Sequence, residues 1–205
     1  MVIKTIIFDL GRVLVDFNHL TAADKISKLC KNSPQEIFDL FFDSRLTADF
    51  ESGKIKPLEF FSGVKNILKI DIGYEEFKQI WNDIFFRTER NIETYELARY
   101  LRSNYRLAML SNINVLHFEY LKTRFPIFEA FHDLMLSYEL GLRKPDPRIY
   151  KKAIEIVAAS YPHEIFYTDD RPELIESASL LGIKSFVFEN TEKLKSDLAS
   201  CGVVV

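Results

Sequence analysis

Hydrophobic and polar positions follow two different periods along the chain, and the change of period divides it. The run from Val2 to Phe8 is β-branched and apolar and stops at Asp9-Leu10-Gly11-Arg12, which reads as a buried strand ending in a loop. From residue 20 to about residue 87 the pattern is helical, rich in Phe and without a convincing strand. Ser33-Pro34-Gln35-Glu36 forms a capping box there, and Pro57 suits a first helical turn. After residue 91 the periods alternate: helix 92–103, strand 106–110, helix 115–124, strand 133–136, helix 147–158, strand 164–168, helix 172–181, strand 184–188 and a closing helix. This alternation predicts an α/β chain with a doubly wound, mainly parallel sheet. The helical block is then an insertion after the first strand, so that residues 1–15 and 89–205 build the core and residues 16–88 an inserted helical cap. Phe38, Phe41, Phe42 and Phe50 belong to that block and are expected in the core of its bundle.

Composition narrows the choice of ligand. The 205 residues carry a formal charge of -3 with Lys and Glu interspersed, so no broad basic face argues for nucleic acid or a membrane surface as partner. Lys4 and Asp9 interrupt the apolar N-terminal run, which is neither a membrane span nor a secretory signal, and Cys30 and Cys201 lack metal-ligand spacing. The expectation is a cytoplasmic protein, a monomer or weak homodimer, acting on a small soluble molecule. His19, His117, His132 and His163 show no metal spacing either. They are expected at the surface or behind the site, His117 beside the Ser111 loop.

In an open parallel sheet, ligands bind beyond the carboxyl ends of the strands. Four such ends carry candidate chemistry: Asp9, Ser111-Asn112, Lys144 in the loop Gly141-Leu142-Arg143-Lys144-Pro145, and Asp169-Asp170. Taken singly, the Asp, Ser and Asn residues suit turn or helix caps and the lysine a solvated surface. Taken in order at successive strand ends, they form one coherent set. Mg²⁺ takes oxygen ligands, for which Asp9 and Asp170 are suited. A carboxylate attacks phosphorus when cations neutralise the phosphoryl oxygens, a role for Lys144 and the metal. The Ser111 hydroxyl and the Asn112 backbone N–H, at the start of a helix, suit the remaining oxygens. These residues point to a small phosphorylated metabolite as substrate.

The motifs Ile6-Ile7-Phe8-Asp9-Leu10-Gly11-Arg12-Val13-Leu14, Leu110-Ser111-Asn112, Arg143-Lys144-Pro145-Asp146-Pro147 and Phe166-Tyr167-Thr168-Asp169-Asp170-Arg171-Pro172, followed by Ala178 and Leu181-Gly182-Ile183, resemble the haloacid dehalogenase superfamily in its branch with a helical cap after the first strand. The resemblance covers nearly the whole chain and implies a Rossmann-like core and a Mg²⁺-dependent phosphatase. It implies Asp9 as nucleophile and metal ligand, the carbonyl of Gly11 and the Asp170 carboxylate as further ligands, Asp169 as an accessory ligand, and Ser111 and Lys144 as phosphate contacts. Ser111-Asn112-Ile113-Asn114 with His117 is similar to bacterial members that dephosphorylate sugar phosphates such as glucose 1-phosphate.

Two positions depart from the family pattern. Most of its phosphatases place a second Asp, the general acid and base, where this chain has Gly11. Such help is worth ~10²- to 10⁴-fold, so its loss implies a slow enzyme, a good leaving group such as an anomeric phosphate, or a substitute acid from the cap or from substrate-bound water. Arg12 stands where a small residue is usual and is a candidate anion contact. In the cap, a solvated charged face accounts for Arg45 and Glu51; turned toward the strand ends, Arg45 is a candidate phosphate contact. Two other functions compete. A 2-haloacid dehalogenase would use Asp9 on carbon without metal, but such enzymes resemble each other in carrying an aromatic residue at the position of Gly11, and they have no use for Asp169-Asp170. A noncatalytic phosphometabolite-binding protein is supported by Gly11 alone.

Overall fold

The computed structural model describes residues 2–205. The chain opens with β1 (Thr5–Phe8), passes through the two-residue strand β2 (Asp16–Phe17) and then makes five helices: α1 (His19–Ser27), α2 (Pro34–Asp43), α3 (Arg45–Glu51), α4 (Pro57–Leu68) and α5 (Tyr74–Asn82). β3 (Phe85–Phe86) ends this stretch by pairing antiparallel with β2. Alternation follows with α6 (Glu89–Leu101), β4 (Arg106–Ser111), α7 (Val115–Arg124), β5 (Asp133–Leu136), α8 (Ser137–Leu140), α9 (Pro147–Ile156), β6 (Ile165–Asp169), α10 (Pro172–Ser179), β7 (Lys184–Val187) and α11 (Thr191–Ser200). The strands after residue 91 lie within a residue or two of their expected positions. β3 corrects the expectation that the stretch from 20 to 87 holds no strand. At two residues, it is too short to leave a period in the sequence.

Among the described residues, five strands form a parallel sheet in the order β5-β4-β1-β6-β7, so β1 lies at its centre. Successive side chains of a strand point to opposite faces, and both faces are covered. Ile6, Phe8, Leu107, Met109 and Phe166 pack into one apolar layer, while Ile7, Ala108, Leu110, Ile165 and Tyr167 pack into the other. This double coverage is why the strands read as continuous apolar runs. The five helices between β2 and β3 keep a core of their own, built on Ala23, Ile26, Phe41, Phe50, Phe60, Val64, Phe77 and Trp81. Phe50 stacks on Phe60 at 4.3 Å. Ser33 and Glu36 make the expected capping box at the start of α2. No helix is long and apolar enough to cross a membrane among the described residues.

Two contacts fix the helical layer over the sheet. Buried Asp16 accepts hydrogen bonds from Arg90 Nη2 at 3.1 Å and from the Thr88 hydroxyl at 3.3 Å, anchoring β2 to the start of α6. His117 of α7, also buried, stacks on Trp81 at 4.8 Å, and its Nε2 lies 3.1 Å from the Trp81 carbonyl. The expectation of a surface or supporting place for His117 is sharpened: it is a buried link between the layers. Burial holds its pKa down at about 3, with the neighbouring His19 adding to the effect, and His19 itself is held at about 4 by burial and then by Arg12.

The loop after β1 is tight. Arg12 N donates to the Val15 carbonyl at 2.8 Å, and Arg12 takes a left-handed backbone with φ of 61°. Phe17 folds back over Gly11, so that a Cβ added to Gly11 would lie 2.8 Å from Phe17 Cε1. The Phe17 ring has little freedom to retreat, being flanked by the Arg12 guanidinium at 4.6 Å, His19 at 4.9 Å and Phe85 at 6.2 Å.

Gly11→Ala is therefore expected to destabilise the chain by about 1–3 kcal/mol through overpacking. Adding Phe17→Leu should recover most of that loss; urea unfolding of the two single variants and the double variant measures the coupling. For His117 the sign follows from its lowered pKa. The folded chain keeps the ring neutral while the unfolded chain protonates it below about 6.5, so its contribution is complete above that pH and is lost as pH falls toward about 3. The raised carboxyls Asp9 and Asp170 act in the opposite sense, so the effect is read as a difference. The stability deficit of His117→Gln relative to wild type should shrink between about pH 7.5 and pH 5; a constant deficit would contradict the assignment.

Candidate active site

The strand order brings together residues far apart in the chain. Asp9 follows β1, Ser111 ends β4 and Asp169 ends β6, and these are three adjacent strands. Asp9, Asp169 and Asp170 each offer a carboxylate oxygen, and the three oxygens lie within 4.8 Å of one another. Lys144 enters from the loop between α8 and α9 and is 3% exposed. Its ammonium donates to Asp9 Oδ1 at 2.7 Å, Asp169 Oδ2 at 2.5 Å, the Leu110 carbonyl at 2.9 Å and the Tyr167 hydroxyl oxygen at 3.2 Å. A side chain that is usually solvated is buried here because four oxygens replace its water.

Asn112 positions that lysine. Its side-chain amide donates to the Lys144 carbonyl and its Oδ1 accepts from the Lys144 N–H, both at 2.8 Å. The Asn112 side chain is thus committed to the loop, and only its backbone is left for the anion-binding role expected from the sequence. Asp169 is similarly committed: besides Lys144, it accepts from the Tyr167 hydroxyl and from the Arg171 N–H.

The charges do not cancel. Burial pushes the Asp9 carboxyl up; Lys144 opposes the shift, while Asp169 and Asp170 add to it, and the net direction is upward. Asp170 is pushed up to about 6 by burial and then by Asp169. Burial alone would lower the Lys144 ammonium, but Asp169 and Asp9 outweigh it and hold it raised. Lys144 contacts two of the three carboxyl groups and Arg171 lies near Asp169 and Asp170, yet Asp9 and Asp170 stay raised by burial and by Asp169, and a hard divalent cation with oxygen ligands would relieve that repulsion. The donor set fits Mg²⁺, with carboxylate oxygens of Asp9, Asp169 and Asp170 close enough together to share one ion.

These groups open on a cavity of about 520 Å³ between the sheet edge and the helical layer. Asp9, Gly11, Ser111, Asn112, Lys144, Asp169 and Asp170 all line it, so the structure brings that part of the expected site together. Arg12 lines it too, its side chain 45% exposed and lying over the Phe17 ring. Arg45 is corrected: its side chain is 95% exposed, it faces Asp49 along α3, and it does not line the cavity. Glu51, at the other end of the same helix, does. Its carboxylate accepts from Arg143 Nη2 at 2.8 Å, and burial raises its pKa against the pull of Arg143. The seven-residue helix carries its first residue outward and its last inward. A charge pattern alone does not reveal that direction.

The Phe assignments divide in the same way. Phe41 and Phe50 are buried in the core of the helical layer, as expected, although Phe41 also touches the cavity. Phe42 is corrected: it is 46% exposed and lines the cavity, while Phe38 is partly buried, packing against that core and also lining the cavity. Phe17 and His19 line it as well and went unrecognised in the sequence, where the only signal was their place just beyond the loop that carries Asp9.

With this geometry established, comparison with known proteins gives a consistent result. The family described as haloacid dehalogenase-like hydrolase matches residues 3–182. A D-ribitol-5-phosphate phosphatase from Bacteroides thetaiotaomicron is 29% identical over 202 residues, covering 96% of this chain and 97% of that protein. Among solved structures, a family enzyme from the same organism superposes with a TM-score of 0.85 at 25% identity, covering 96% of this chain and 98% of that one. A wild-type structure of that enzyme in complex with magnesium and inorganic phosphate superposes with a TM-score of 0.81 at 26% identity, covering 92% and 95% of the two chains. The sheet, the order of its strand-end residues and these likenesses agree: the chain belongs to the haloacid dehalogenase-like hydrolases.

Proposed function

We propose that this hydrolase is a Mg²⁺-dependent phosphatase of small phosphorylated metabolites, sugar or polyol phosphates among them, with Asp9 as nucleophile. The observation that carries this reading is the convergence of Asp9, Asp169, Asp170 and buried Lys144 on one cavity whose wall also includes Ser111. The likeness to a ribitol phosphate phosphatase and to a structure holding magnesium and phosphate supports it. In this reading residues 16–88 act as a cap over a core of residues 1–15 and 89–205.

The residues divide the work as follows. Lys144 holds one oxygen of Asp9 and so orients the carboxylate. An Asp9 oxygen attacks phosphorus, the bond from phosphorus to the ester oxygen breaks, and the leaving alkoxide takes up a proton; water then cleaves the acyl phosphate and frees Asp9. Bound Mg²⁺, held by Asp9, the Gly11 carbonyl and Asp170 with Asp169 as an accessory, supplies charge neutralisation at the phosphoryl oxygens. The Ser111 hydroxyl and the Asn112 N–H bind those oxygens, and Arg12 adds charge at the cavity wall. With no carboxyl at position 11, the departing oxygen is protonated by solvent, by the substrate itself or by a group of the cavity wall. Turnover is accordingly faster for esters with acidic leaving groups.

Phosphate release from a panel including ribitol 5-phosphate and glucose 1-phosphate is expected to require Mg²⁺ and to stop with EDTA. Asp9→Asn should reduce kcat by about 10³-fold or more. Hydrolysis that persists in EDTA would overturn the metal-dependent mechanism and favour a metal-free hydrolase of the dehalogenase type. Binding of these esters with no turnover by wild type would favour a binding protein.

A further inference from the structure

Beside polar residues such as Asn18, Glu51 and Arg143, the cavity wall carries a set of aromatic rings that begins at the nucleophile loop. Phe17 lies against Gly11, two residues after Asp9, where a Cβ would meet the ring edge at 2.8 Å. His19 packs edge-on to Phe17 at 4.9 Å and edge-on to Phe42 at 4.9 Å, and Phe42 stacks on Phe38 at 5.4 Å with 7° between the rings. All four rings line the cavity. The space beside Gly11 is therefore the first step of a series of contacting rings along the cavity wall.

The exposure of Phe42 leaves this wall open to a ligand, and a neutral His19 keeps it apolar. Phe42 is 46% exposed, while Phe41, Phe50, Phe60 and Phe77 of the same helical layer are at most 2% exposed. Apolar surface left open inside a polar-ended cavity is the usual mark of a recognition surface. His19 is held neutral, with its pKa at about 4, and its buried Nδ1 has no hydrogen-bond partner among the described residues. The ring therefore behaves as part of an aromatic surface. The same cavity offers polar partners such as Asn18, Glu51 and Arg143, but a hydroxyl against a ring face finds none there, whereas a flat π-system loses little and gains stacking. Lys144, Ser111 and these rings line one cavity, so an ester whose phosphate is held by the first two shares its space with the rings.

We propose that Phe17, His19, Phe38 and Phe42 form a stacking subsite, and that the preferred substrates are sugar or polyol phosphates carrying a planar heteroaromatic ring. This selectivity rests on the phosphatase reading above. The subsite itself is tested by binding, which does not depend on turnover.

Riboflavin 5′-phosphate and ribitol 5-phosphate make a matched pair, because both present a ribityl 5-phosphate and only the first carries a ring. In the Asp9→Asn variant with Mg²⁺, riboflavin 5′-phosphate is expected to bind about tenfold or more tightly than ribitol 5-phosphate, the size of effect that ring stacking and its buried area provide. The same preference should appear in kcat/KM for wild type. In Phe38→Ala/Phe42→Ala the ratio should fall to within about threefold of one, and Phe42→Leu, which keeps apolar bulk without the ring, should fall between. A ratio at or below one, or a ratio unchanged in both variants, overturns the subsite. Equal hydrolysis of the two esters by wild type, with equal binding, removes the subsite and leaves the phosphatase standing. Tenfold tighter binding of the ring-bearing ester with hydrolysis of neither supports the subsite and removes the phosphatase. Titrating the same pair into wild type in EDTA gives the binding ratio should Asp9→Asn not fold.

Discussion

The burial of Lys144 among carboxylates is the constraint from which the rest of the structure follows. An ammonium 3% exposed is tolerable only when oxygens replace its water, and here those oxygens come from the ends of β1, β4 and β6. The strands must therefore be neighbours and in register, and the loop that delivers the lysine must be held as well. Asn112 does this through two hydrogen bonds to the Lys144 backbone. Lys144 and Arg171 do not offset the burial and mutual repulsion that raise Asp9 and Asp170, which a divalent cation would relieve. The same imbalance that suits the site to catalysis makes it a place where folded stability and metal supply are linked.

Most of the fold was legible because it rests on local rules. Runs such as Ile165 to Tyr167 are covered on both faces and so appear as unbroken apolar stretches, and helices such as α2 announce their starts with Ser33, Pro34 and Glu36. The strand-end residues were legible for a topological reason, since a parallel sheet gathers the ends of its strands on one edge. What escaped depends on the orientation of the helical layer. Phe41 and Phe42 are adjacent on one helix, yet one fills the core while the other remains half open to the cavity. Arg45 and Glu51 share a short helix and point to solvent and to the cavity respectively. Nothing in a single periodicity distinguishes a neighbouring helix from empty space, so these assignments had to come from tertiary structure.

Gly11 looked like a deletion of function in the sequence and is a packing exchange in the structure. The place where a side chain would stand is filled by Phe17, whose ring is itself held by Arg12, His19 and Phe85. Restoring a carboxyl at this position would require moving an aromatic cluster, so the missing acid and the apolar wall are one structural decision. The chain forgoes proton transfer from that position and gains contact area for the ligand.

The short ribbon of β2 and β3 has a consequence of another kind. The polypeptide leaves the sheet layer at Asp16–Phe17 and returns at Phe85–Phe86, and these two crossings are hydrogen-bonded side by side. Everything between them is joined to the core through the chain only here, with its own apolar interior, while His117–Trp81 and Arg143–Glu51 pin it from the side. Such a segment can be lengthened, shortened or replaced by another whose ends meet equally closely, while β1 and β4 keep their pairing. Changes in that segment would reshape the chamber while leaving the strand ends that carry Asp9, Ser111 and Asp169 in place.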